Sequence, residues 1–275
     1  EVYEAGMHAA VVERMALKSD LRRGVAEGEF IAHYQPIVDL ATGAVRGVEA
    51  LARWTHPERG ILAPAAFLAL AEETGLIVDI GRMVMRQACS DLARWRKELG
   101  DAAPATLSVN LSGRELLRAG LVDEVGSMLK RWDLPPSSLV IEITETMLME
   151  DTDAASRALV ALKALGVQLA LDDFGTGYSS LSYLDRFPVD FLKIDKSFVQ
   201  AMADGEMAHP QLVEAIIGLG SMLGLKVTAE GIELPGQLDK LRTMGCAYGQ
   251  GYFFARPVAA ADLELTLRAP ALTTS

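Results

Sequence analysis

The chain has 275 residues, of which half are hydrophobic and 23% are charged, which is typical of a soluble globular protein with one large core or at most two small domains. Its formal net charge of −11 argues against binding to a nucleic acid polymer, because such binding needs a basic surface. An acidic protein can still process a phosphate ester when divalent metal ions mediate the contact.

The sequence carries no sign of a membrane span or a secretory signal. No apolar run approaches the roughly 18 residues that a span needs, and the N-terminal stretch EVYEAGMHAA has no apolar core. Cys89 and Cys246 lie far apart, which predicts neither a disulfide framework nor a zinc cluster and fits a reducing cytoplasm. We therefore expect a cytoplasmic domain without direct membrane contact. Since the chain lacks an initiating Met, we expect it to be a segment of a longer protein, which other segments can anchor to a membrane.

The chain begins with a predicted helix and a predicted hairpin. Residues 1–27 show a helical pattern, which fits either a lead-in helix from an upstream domain or the bottom of a barrel. The segments FIAHYQPIVDL and AVRGVEALARW then predict two antiparallel strands joined by the turn ATG. The second strand contains Glu49 between Val48 and Ala50, and a charge in so apolar a strand is costly unless it is paired or bound to a cation.

From Ala105 onward, strands alternate with helices without a linker. The predicted strands are ATLSVNLS (105–112), SLVIEITE (138–145), VQLALDD, VDFLKID, LKVTAEG and one within CAYGQGYFFARP. Such alternation indicates a parallel sheet. About seven or eight repeats in roughly 250 residues favour an α/β fold, a closed TIM-like (β/α)8 barrel, with one antiparallel strand near the N-terminal hairpin. An open doubly wound sheet is disfavoured, because no glycine-rich phosphate loop follows the first strand.

Polar residues lie inside these strands or end them. Each position or pair comes from a different strand, and the C-terminal ends of barrel strands converge on one mouth, where active sites are built. The set comprises five carboxylates, two amides and one lysine, namely Glu49, Asn110, Glu142, Asp172, Asp173, Lys193, Glu230 and Gln250. Taken singly, each has an ordinary structural explanation, such as an ion pair for a strand glutamate. Coincidence explains the whole set poorly.

Asp172 and Asp173 end the strand within LALDDFGTGYSS. Neighbouring side chains of a strand point to opposite faces, so both carboxylates can serve one site only where the backbone begins to turn. Gly175 and Gly177 permit such a turn. A helix N-cap pair after the strand is the alternative, because Asp is common at that position.

So many carboxylates in one cavity need compensation. Like charges a few ångströms apart raise one another's pKa, and one lysine cannot offset five acids. Ligation by oxygen alone suits Mg²⁺ or Mn²⁺, and a bridging carboxylate from the Asp172–Asp173 pair suggests two ions about 3.5–4 Å apart. Sites of this kind activate a water and stabilise the leaving oxygen in phosphoester cleavage. Lys193 would then stabilise developing negative charge or orient the water.

A set of motifs carries a family resemblance. In chain order they read YQPIVDL, EALARW (starting Glu49-Ala50-Leu51), SVNLS, IEITE, DDFGTGYSSL, LKID, AEGIE and QGYFFARP, over about residues 20–268. Together they resemble the EAL domain, the family of cyclic di-GMP phosphodiesterases, although the tripeptide alone has no weight. The resemblance implies hydrolysis of cyclic di-GMP to linear pGpG with two Mg²⁺ or Mn²⁺ ions. Ca²⁺ is expected to inhibit, because its coordination is longer and looser.

The resemblance also implies a role for each residue of the site. The ligands of a first metal ion would be Glu49, Asn110, Glu142 and Asp172, and those of a second Asp173 and Glu230, with Asp172 bridging. The catalytic residues would be Glu49, Asp173, Glu230 and Lys193, of which Lys193 touches the nucleophilic water or the phosphate. The nucleotide pocket would contain Gln35, Leu51, Arg53, Asp195, Glu233 and Gln250. Arg53 suits a phosphate, because its planar fork pairs two oxygens, and Gln250 would hold a metal-bound water or support the ligands. Glu145 would anchor the loop after Asp173, which contains Thr176 and Ser179.

The resemblance further implies domain boundaries and partners. We expect a linker helix at 1–20 that follows a GGDEF or sensor domain, the EAL barrel at 21–268 and a frayed tail at 269–275. A homodimer is also expected, and Phe187 and Phe191 mark either its surface or core packing, with core favoured for Phe191. A non-catalytic cyclic di-GMP receptor and a barrel enzyme of unrelated substrate, such as an enolising lyase, are the alternatives. The complete set of acids favours the phosphodiesterase, since degenerate family members typically lack several of them.

Overall fold

The computed structural model describes residues 2–150, 152–175, 187–202 and 210–268. Its strands are β1 Phe30–Asp39, β2 Val45–His56, β3 Gly60–Leu62, β4 Thr106–Asn110, β5 Leu139–Thr144, β6 Gln168–Phe174, β7 Phe191–Ile194, β8 Lys226–Ala229 and β9 Tyr248–Gly249. Its helices are α1 Val2–Glu27, α2 Leu68–Thr74, α3 Ile77–Leu99, α4 Gly113–Leu116, α5 Leu121–Arg131, α6 Glu145–Glu150, α7 Thr152–Ala164, α8 Lys196–Ala201, α9 Pro210–Met222, α10 Pro235–Thr243 and α11 Ala260–Leu267. Short 3-10 turns lie at Pro64–Ala66, Gly100–Ala102 and Pro136–Ser138.

Eight strands of the described residues close into a barrel. The order around it is β1-β9-β8-β7-β6-β5-β4-β2, and pairing of β1 with β2 completes the ring. β1 runs antiparallel to both of its neighbours, whereas the other neighbouring strands run parallel. The predicted barrel with one antiparallel strand is therefore confirmed. β3 was not predicted; it pairs with β2 and lies outside the ring.

The core lies between the barrel wall and the surrounding helices. Strand side chains alternate between the two faces of the wall, so apolar residues meet the helices while their neighbours face the barrel interior. The buried outer residues include Leu107, Ile141, Leu169 and Leu192. Helix α3 buries one side against the wall, with Val84, Ala88, Leu92 and Trp95. This packing fixes the strands and so the direction of every inward side chain.

Helix α1 reaches the barrel at the end where the strands carry their polar residues. Because β1 runs antiparallel, its first residue Phe30 pairs with Trp54 near the C-terminal end of β2. The interpretation of α1 as the bottom of the barrel is therefore wrong. Leu21 is fully buried, whereas Met15 is 68% exposed, so the later turns of the helix pack on the core and the turn around Met15 faces solvent. The boundaries of the linker helix stay a prediction, and the tail 269–275 lies outside the described residues.

Some strand ends differ from the predicted segments, because local capping competes with the strand pattern there. β7 ends at Ile194, and Asp195 is instead the N-cap of α8, where its Oδ1 accepts a hydrogen bond from the backbone N–H of Ser197 at 3.0 Å. The predicted strand VDFLKID, which would place Lys193 and Asp195 on one face, is therefore one residue too long at its C-terminal end. Glu145 begins α6 rather than ending β5.

Gly251 offers a test of how the barrel is closed beside the site. A Cβ atom at this position would lie 2.1 Å from the carbonyl oxygen and 2.3 Å from the backbone nitrogen of Ile232. Backbone atoms cannot swing aside, so we expect Gly251→Ala to lower the free energy of unfolding by about 3 kcal/mol in urea denaturation.

The matched control is Gly236→Ala in α10, where an added Cβ meets nothing within 4 Å. Alanine is favoured over glycine in a helix by up to about 1 kcal/mol, so this variant should be neutral or slightly stabilised. Equal unfolding midpoints for the two variants would contradict the close approach at Gly251.

Candidate active site

Lys193 lies at the centre of a buried layer of acidic side chains and is itself 2% exposed. Its Nζ is 2.6 Å from Glu142 Oε2 and 2.6 Å from Glu230 Oε1. It is also 3.3 Å from Asp172 Oδ1 and 3.6 Å from Glu49 Oε2. These carboxylates come from four other strands of the barrel or from their ends. The structure therefore brings together five residues that the sequence pattern predicted to meet.

The amide side chains of the predicted set hold Glu49 from both sides. Asn110 Nδ2 donates to Glu49 Oε1 at 2.7 Å, and Gln250 Nε2 donates to Glu49 Oε2 at 2.7 Å. The same Gln250 nitrogen lies 2.9 Å from Oε1 of Gln35, which in turn donates through its own Nε2 to the carbonyl of Ala255. Gln250 Oε1 is buried and has no hydrogen-bond partner in the described chain. It is therefore a buried acceptor that a water or ligand donor can satisfy.

Asp172 and Asp173 reach one site because the strand turns between them. Asp173 has a φ of 53°, in the left-handed region, and the register between β6 and β7 shifts over residues 171–174. The backbone N–H of Asp173 donates to Asp172 Oδ1 at 3.0 Å. One carboxylate oxygen from each of Asp172, Asp173 and Glu230 lies within 4.8 Å of the others. The predicted turn is thus confirmed, and the pair lies within β6 rather than capping a helix.

The layer contains more carboxylates than its single ammonium can compensate. Burial, opposed by Lys193 and reinforced by Glu49, raises the pKa of Glu142 well above its ordinary value. Burial, again opposed by Lys193 and reinforced by Asp172, raises the pKa of Glu230 to about 8. Burial disfavours the charged form of Lys193 as well, yet the surrounding carboxylates raise its pKa well above the usual value. One ammonium therefore stays charged without satisfying its neighbours.

Asp173 shows the same effect at the edge of the layer. Burial, followed by repulsion from Asp172 and Asp195, raises its pKa to about 6. Asp195, predicted as a contact of the nucleotide, therefore lies beside Asp173 at the rim. A doubly charged ion would relieve this repulsion.

The donors fit a divalent cation of the Mg²⁺ or Mn²⁺ type. Asp172, Asp173 and Glu230 offer three carboxylates at ligand spacing, and hard cations take such oxygen ligands. Asn110 uses its Nδ2 as a donor, which leaves its Oδ1 as an acceptor. The nature and number of the ions stay a prediction.

A cavity of about 790 Å³ opens beside this layer, toward α2 and α3. Its lining includes Glu49, Leu51, Asn110, Asp172, Asp173 and Lys196. Arg53 is half-buried nearby; burial lowers its pKa, and its Nη1 donates to the carbonyl of Ala52 at 2.7 Å. Glu233 is exposed in the segment that follows Glu230. The volume is that of a small-molecule site.

Of the three residues predicted to anchor or form the loop after Asp173, the structure describes one. Glu145 is half-buried at the start of α6. Thr176 and Ser179 lie outside the described residues, so their predicted role stays a prediction. Phe187 is buried and belongs to the core, whereas Phe191 is half-buried, with Lys226 Nζ 5.7 Å from its ring centroid.

Sequence reasoning missed two residues of the mouth. Tyr252 is 51% exposed, and the guanidinium of Arg256 lies 4.2 Å from its ring centroid. Tyr252 lies close enough to Arg53 to oppose, in part, the lowering of the pKa of that residue by burial. Lys196 adds a cation to the cavity wall. An aromatic two residues after Gln250, and a lysine directly after LKID, were the available signals.

Comparison with known proteins agrees with this geometry. A family model described as the EAL domain matches residues 18–257. The bifunctional diguanylate cyclase/cyclic di-GMP phosphodiesterase MucR of Pseudomonas aeruginosa is 44% identical over 261 residues, which cover 95% of this chain and 38% of MucR. The cyclic di-GMP phosphodiesterase NbdA of the same organism is 42% identical over 257 residues, which cover 94% of this chain and 32% of NbdA. The chain thus spans about a third of the length of these relatives.

Solved structures show the same likeness. A structure of the MucR phosphodiesterase in complex with c-di-GMP has a TM-score of 0.84 and 44% identity, with 90% of this chain and 99% of that chain covered. The FimX EAL domain from Pseudomonas aeruginosa bound to c-di-GMP has a TM-score of 0.80 and 28% identity, with 89% and 97% covered. Among the described residues, no helix is both long and apolar enough to cross a bilayer. This chain belongs to the EAL domain family and is homologous to named cyclic di-GMP phosphodiesterases.

Proposed function

We propose that this domain is a metal-dependent phosphodiesterase that hydrolyses cyclic di-GMP to linear pGpG. The observation that carries the proposal is the buried layer in which Lys193 meets four carboxylates while Asp172, Asp173 and Glu230 keep oxygens within 4.8 Å of one another. An acid excess of this kind is costly in a fold unless cations bind to it. The likeness to named phosphodiesterases supports the choice of substrate.

The residues divide into two sets of ligands under this proposal. Glu49, Asn110, Glu142 and Asp172 would hold one Mg²⁺ or Mn²⁺ ion, and Asp172, Asp173 and Glu230 the other. Bound ions of this type neutralise the phosphodiester, lower the pKa of a water nucleophile and stabilise the leaving oxygen. In the reaction the water oxygen bonds to phosphorus, the P–O3′ bond breaks, and the 3′ oxygen takes a proton.

Lys193 and Gln250 would position the attacking water and stabilise the negative charge that develops on the phosphate. Lys193 is fixed by Glu142 and Glu230 at 2.6 Å each, so its charge is preorganised for the negative charge that develops on the phosphate or for the attacking water. Gln250 Oε1, which has no partner in the described chain, can accept a hydrogen bond from that water. Gln250 also holds Glu49 through its Nε2.

The nucleotide would lie across the cavity beside the layer. Arg53 is suited to a phosphate oxygen pair, because its guanidinium is half-buried and already partly desolvated. Tyr252 offers an exposed ring to a base. The remaining predicted contacts, which stay predictions, are Gln35, Leu51, Asp195, Glu233 and Gln250.

Other parts of the proposal concern the whole protein. The curated relatives are about three times as long as this chain, which supports a neighbouring regulatory domain of the GGDEF or sensor type. Homodimer formation and a cytoplasmic location stay predictions from the resemblance. The enolising lyase has no support, since the chain belongs to the EAL family.

A metal-dependent cleavage assay tests the proposal. The domain is incubated with cyclic di-GMP and Mg²⁺, Mn²⁺, Ca²⁺ or EDTA, and products are identified by chromatography and mass spectrometry. We expect pGpG with Mg²⁺ or Mn²⁺, and little product with Ca²⁺, whose longer bonds misplace the reacting oxygens. Tight binding of the dinucleotide without cleavage by a folded sample would instead identify a receptor. Full turnover with Ca²⁺ would contradict the two-ion arrangement.

Glu49→Ala should abolish most of the turnover without unfolding the domain. The substitution removes a ligand and the acceptor for both Asn110 and Gln250, so we expect kcat to fall by at least about 100-fold. The control is Glu72→Ala, which removes an exposed carboxylate from the wall of the same cavity. An equal loss in both variants, with matching circular dichroism spectra, would contradict the role of Glu49.

Lys193→Met should separate the structural and the catalytic role of the lysine. Without metal, four carboxylates lose their partner, so the free energy of unfolding should fall by about 3–5 kcal/mol. Added Mg²⁺ should raise the melting temperature of the variant more than that of the wild type, while turnover stays at least about 100-fold lower. Lys163→Met is the control, because it breaks a half-exposed pair with Asp190 that contributes about 1 kcal/mol or less. A melting temperature of metal-free Lys193→Met equal to that of the wild type would contradict the contacts of Lys193 with the four carboxylates.

The metal-free domain should lose stability as the pH rises. The folded pKa values of Glu230 and Asp173, about 8 and about 6, lie above those of an unfolded chain. The folded state therefore binds more protons than the unfolded state in this range, and its stability falls as pH increases through about 8. In EDTA, the urea midpoint should decrease from pH 5.5 through pH 7 to pH 8.5. The decrease should be smaller when Mg²⁺ is added or when Glu230 is replaced in Glu230→Gln. A urea midpoint that rises with pH would show that Glu230 and Asp173 do not have raised pKa values in the folded domain.

A further inference from the structure

A second cavity of about 280 Å³ lies on the other side of the acidic layer, toward the N-terminal ends of the parallel strands. We call it the lower chamber. Its lining includes Glu142 and Lys193 next to the acidic layer, Gly47, Ser108, Ala170 and Thr228 along the wall, and Arg46, Gln168 and Lys226 at the opening. The interior of such a barrel is ordinarily filled by layers of bulky branched side chains. Here the small residues of the wall leave it partly empty, although four bulky residues also line it, namely Ile37, Val140, Phe191 and Tyr248.

The wall of the lower chamber carries hydroxyl groups. Ser108 and Thr228 are each 3% exposed and line the chamber, and neither oxygen is among the described buried atoms that lack both solvent and a hydrogen-bond partner. Thr106 Oγ1 has its place because residue 47 is glycine; a Cβ there would lie 2.4 Å from that oxygen. These hydroxyls are therefore open to the chamber and can donate to a polar occupant.

The charge at the opening is positive in an acidic protein. Arg46 and Lys226 are exposed, and neither forms an ion pair with a described residue. Glu142, the carboxylate among the lining residues, lies at the inner end of the chamber, 2.6 Å from Lys193. The opening itself carries the two cations.

We propose that the lower chamber binds a small oxyanion of the size of phosphate, which enters from the N-terminal end of the barrel. Arg46 and Lys226 would supply charge, with the guanidinium fork matching two oxygens. The hydroxyls of Thr228, Ser108 and Thr106 would donate to the remaining oxygens. The chamber is large enough for this anion and several waters. The groups at its opening, Arg46 and Lys226, are not among the proposed metal ligands, whereas Glu142 and Lys193 line its inner end.

The test uses inorganic phosphate with the metal-free domain in EDTA at constant ionic strength, followed by calorimetry and by amide chemical shifts. We expect saturable binding and shifts of the amides of Gly47 and Thr228. Arg46→Met with Lys226→Met should weaken binding by at least about tenfold, and Thr228→Val, which keeps the shape, by about three- to tenfold. Both sets of variants alter exposed or isosteric positions, and their melting temperatures report on folding.

Two control variants locate the binding. Lys97→Met removes an exposed lysine elsewhere and should bind phosphate as the wild type does. Arg53→Met removes the cation of the opposite mouth, where the proposed function places a phosphate of the nucleotide, and it should leave the phosphate-induced shifts of the Gly47 and Thr228 amides unchanged. Binding that Arg53→Met abolishes, binding that the Arg46 and Lys226 variants leave intact, or no saturation at all would each overturn the proposal. Activity of the domain on cyclic di-GMP does not enter these outcomes, so failure here leaves the proposed function untouched.

Discussion

One buried ammonium among several carboxylates governs the rest of this structure. Lys193 lies 2.6 Å from two of them and within 3.6 Å of two more. Removing such charges from water costs more than one ion pair returns, so the geometry must be held by further bonds. The amides of Asn110 and Gln250 provide them by fixing Glu49. The acids that remain in excess are what make the layer a place for cations.

This polar layer divides the barrel into two compartments. Toward α2 and α3 the larger cavity opens, and toward the strand N-termini lies the lower chamber. The compartments also differ in charge, with an acidic rim on one side and the cations Arg46 and Lys226 on the other. Lys193 and Glu142 belong to the acidic layer and also line the lower chamber, so they separate it from the larger cavity.

Much of the site follows from the sequence because strand periodicity and barrel closure are strong constraints. Alternation fixes which residues face inward, and closure brings Glu49 and Lys193 together across 144 positions of the chain. The turn at Asp173 is also readable, since Gly175 follows it. The end of β7 is not readable in the same way, because the side chain of Asp195 bonds to Ser197 and starts a helix. The hydrogen bonds from Gln250 to Gln35 and the exposure of Tyr252 depend on side-chain placement between distant elements, which no local pattern encodes.

The pairing of β1 with β9 has a consequence for how the protein is made. Val38 meets Gly249, about 200 residues later, and the same closure brings Gln250 to Gln35 and Glu49. At roughly 5–20 residues per second, a ribosome needs about 10–40 s to deliver the second partner after the first. During that interval β1 has one unfilled edge, and Glu49 lacks one of its two amide donors. The site is thus completed late in synthesis, when β9 leaves the ribosome and pairs with β1 to close the barrel.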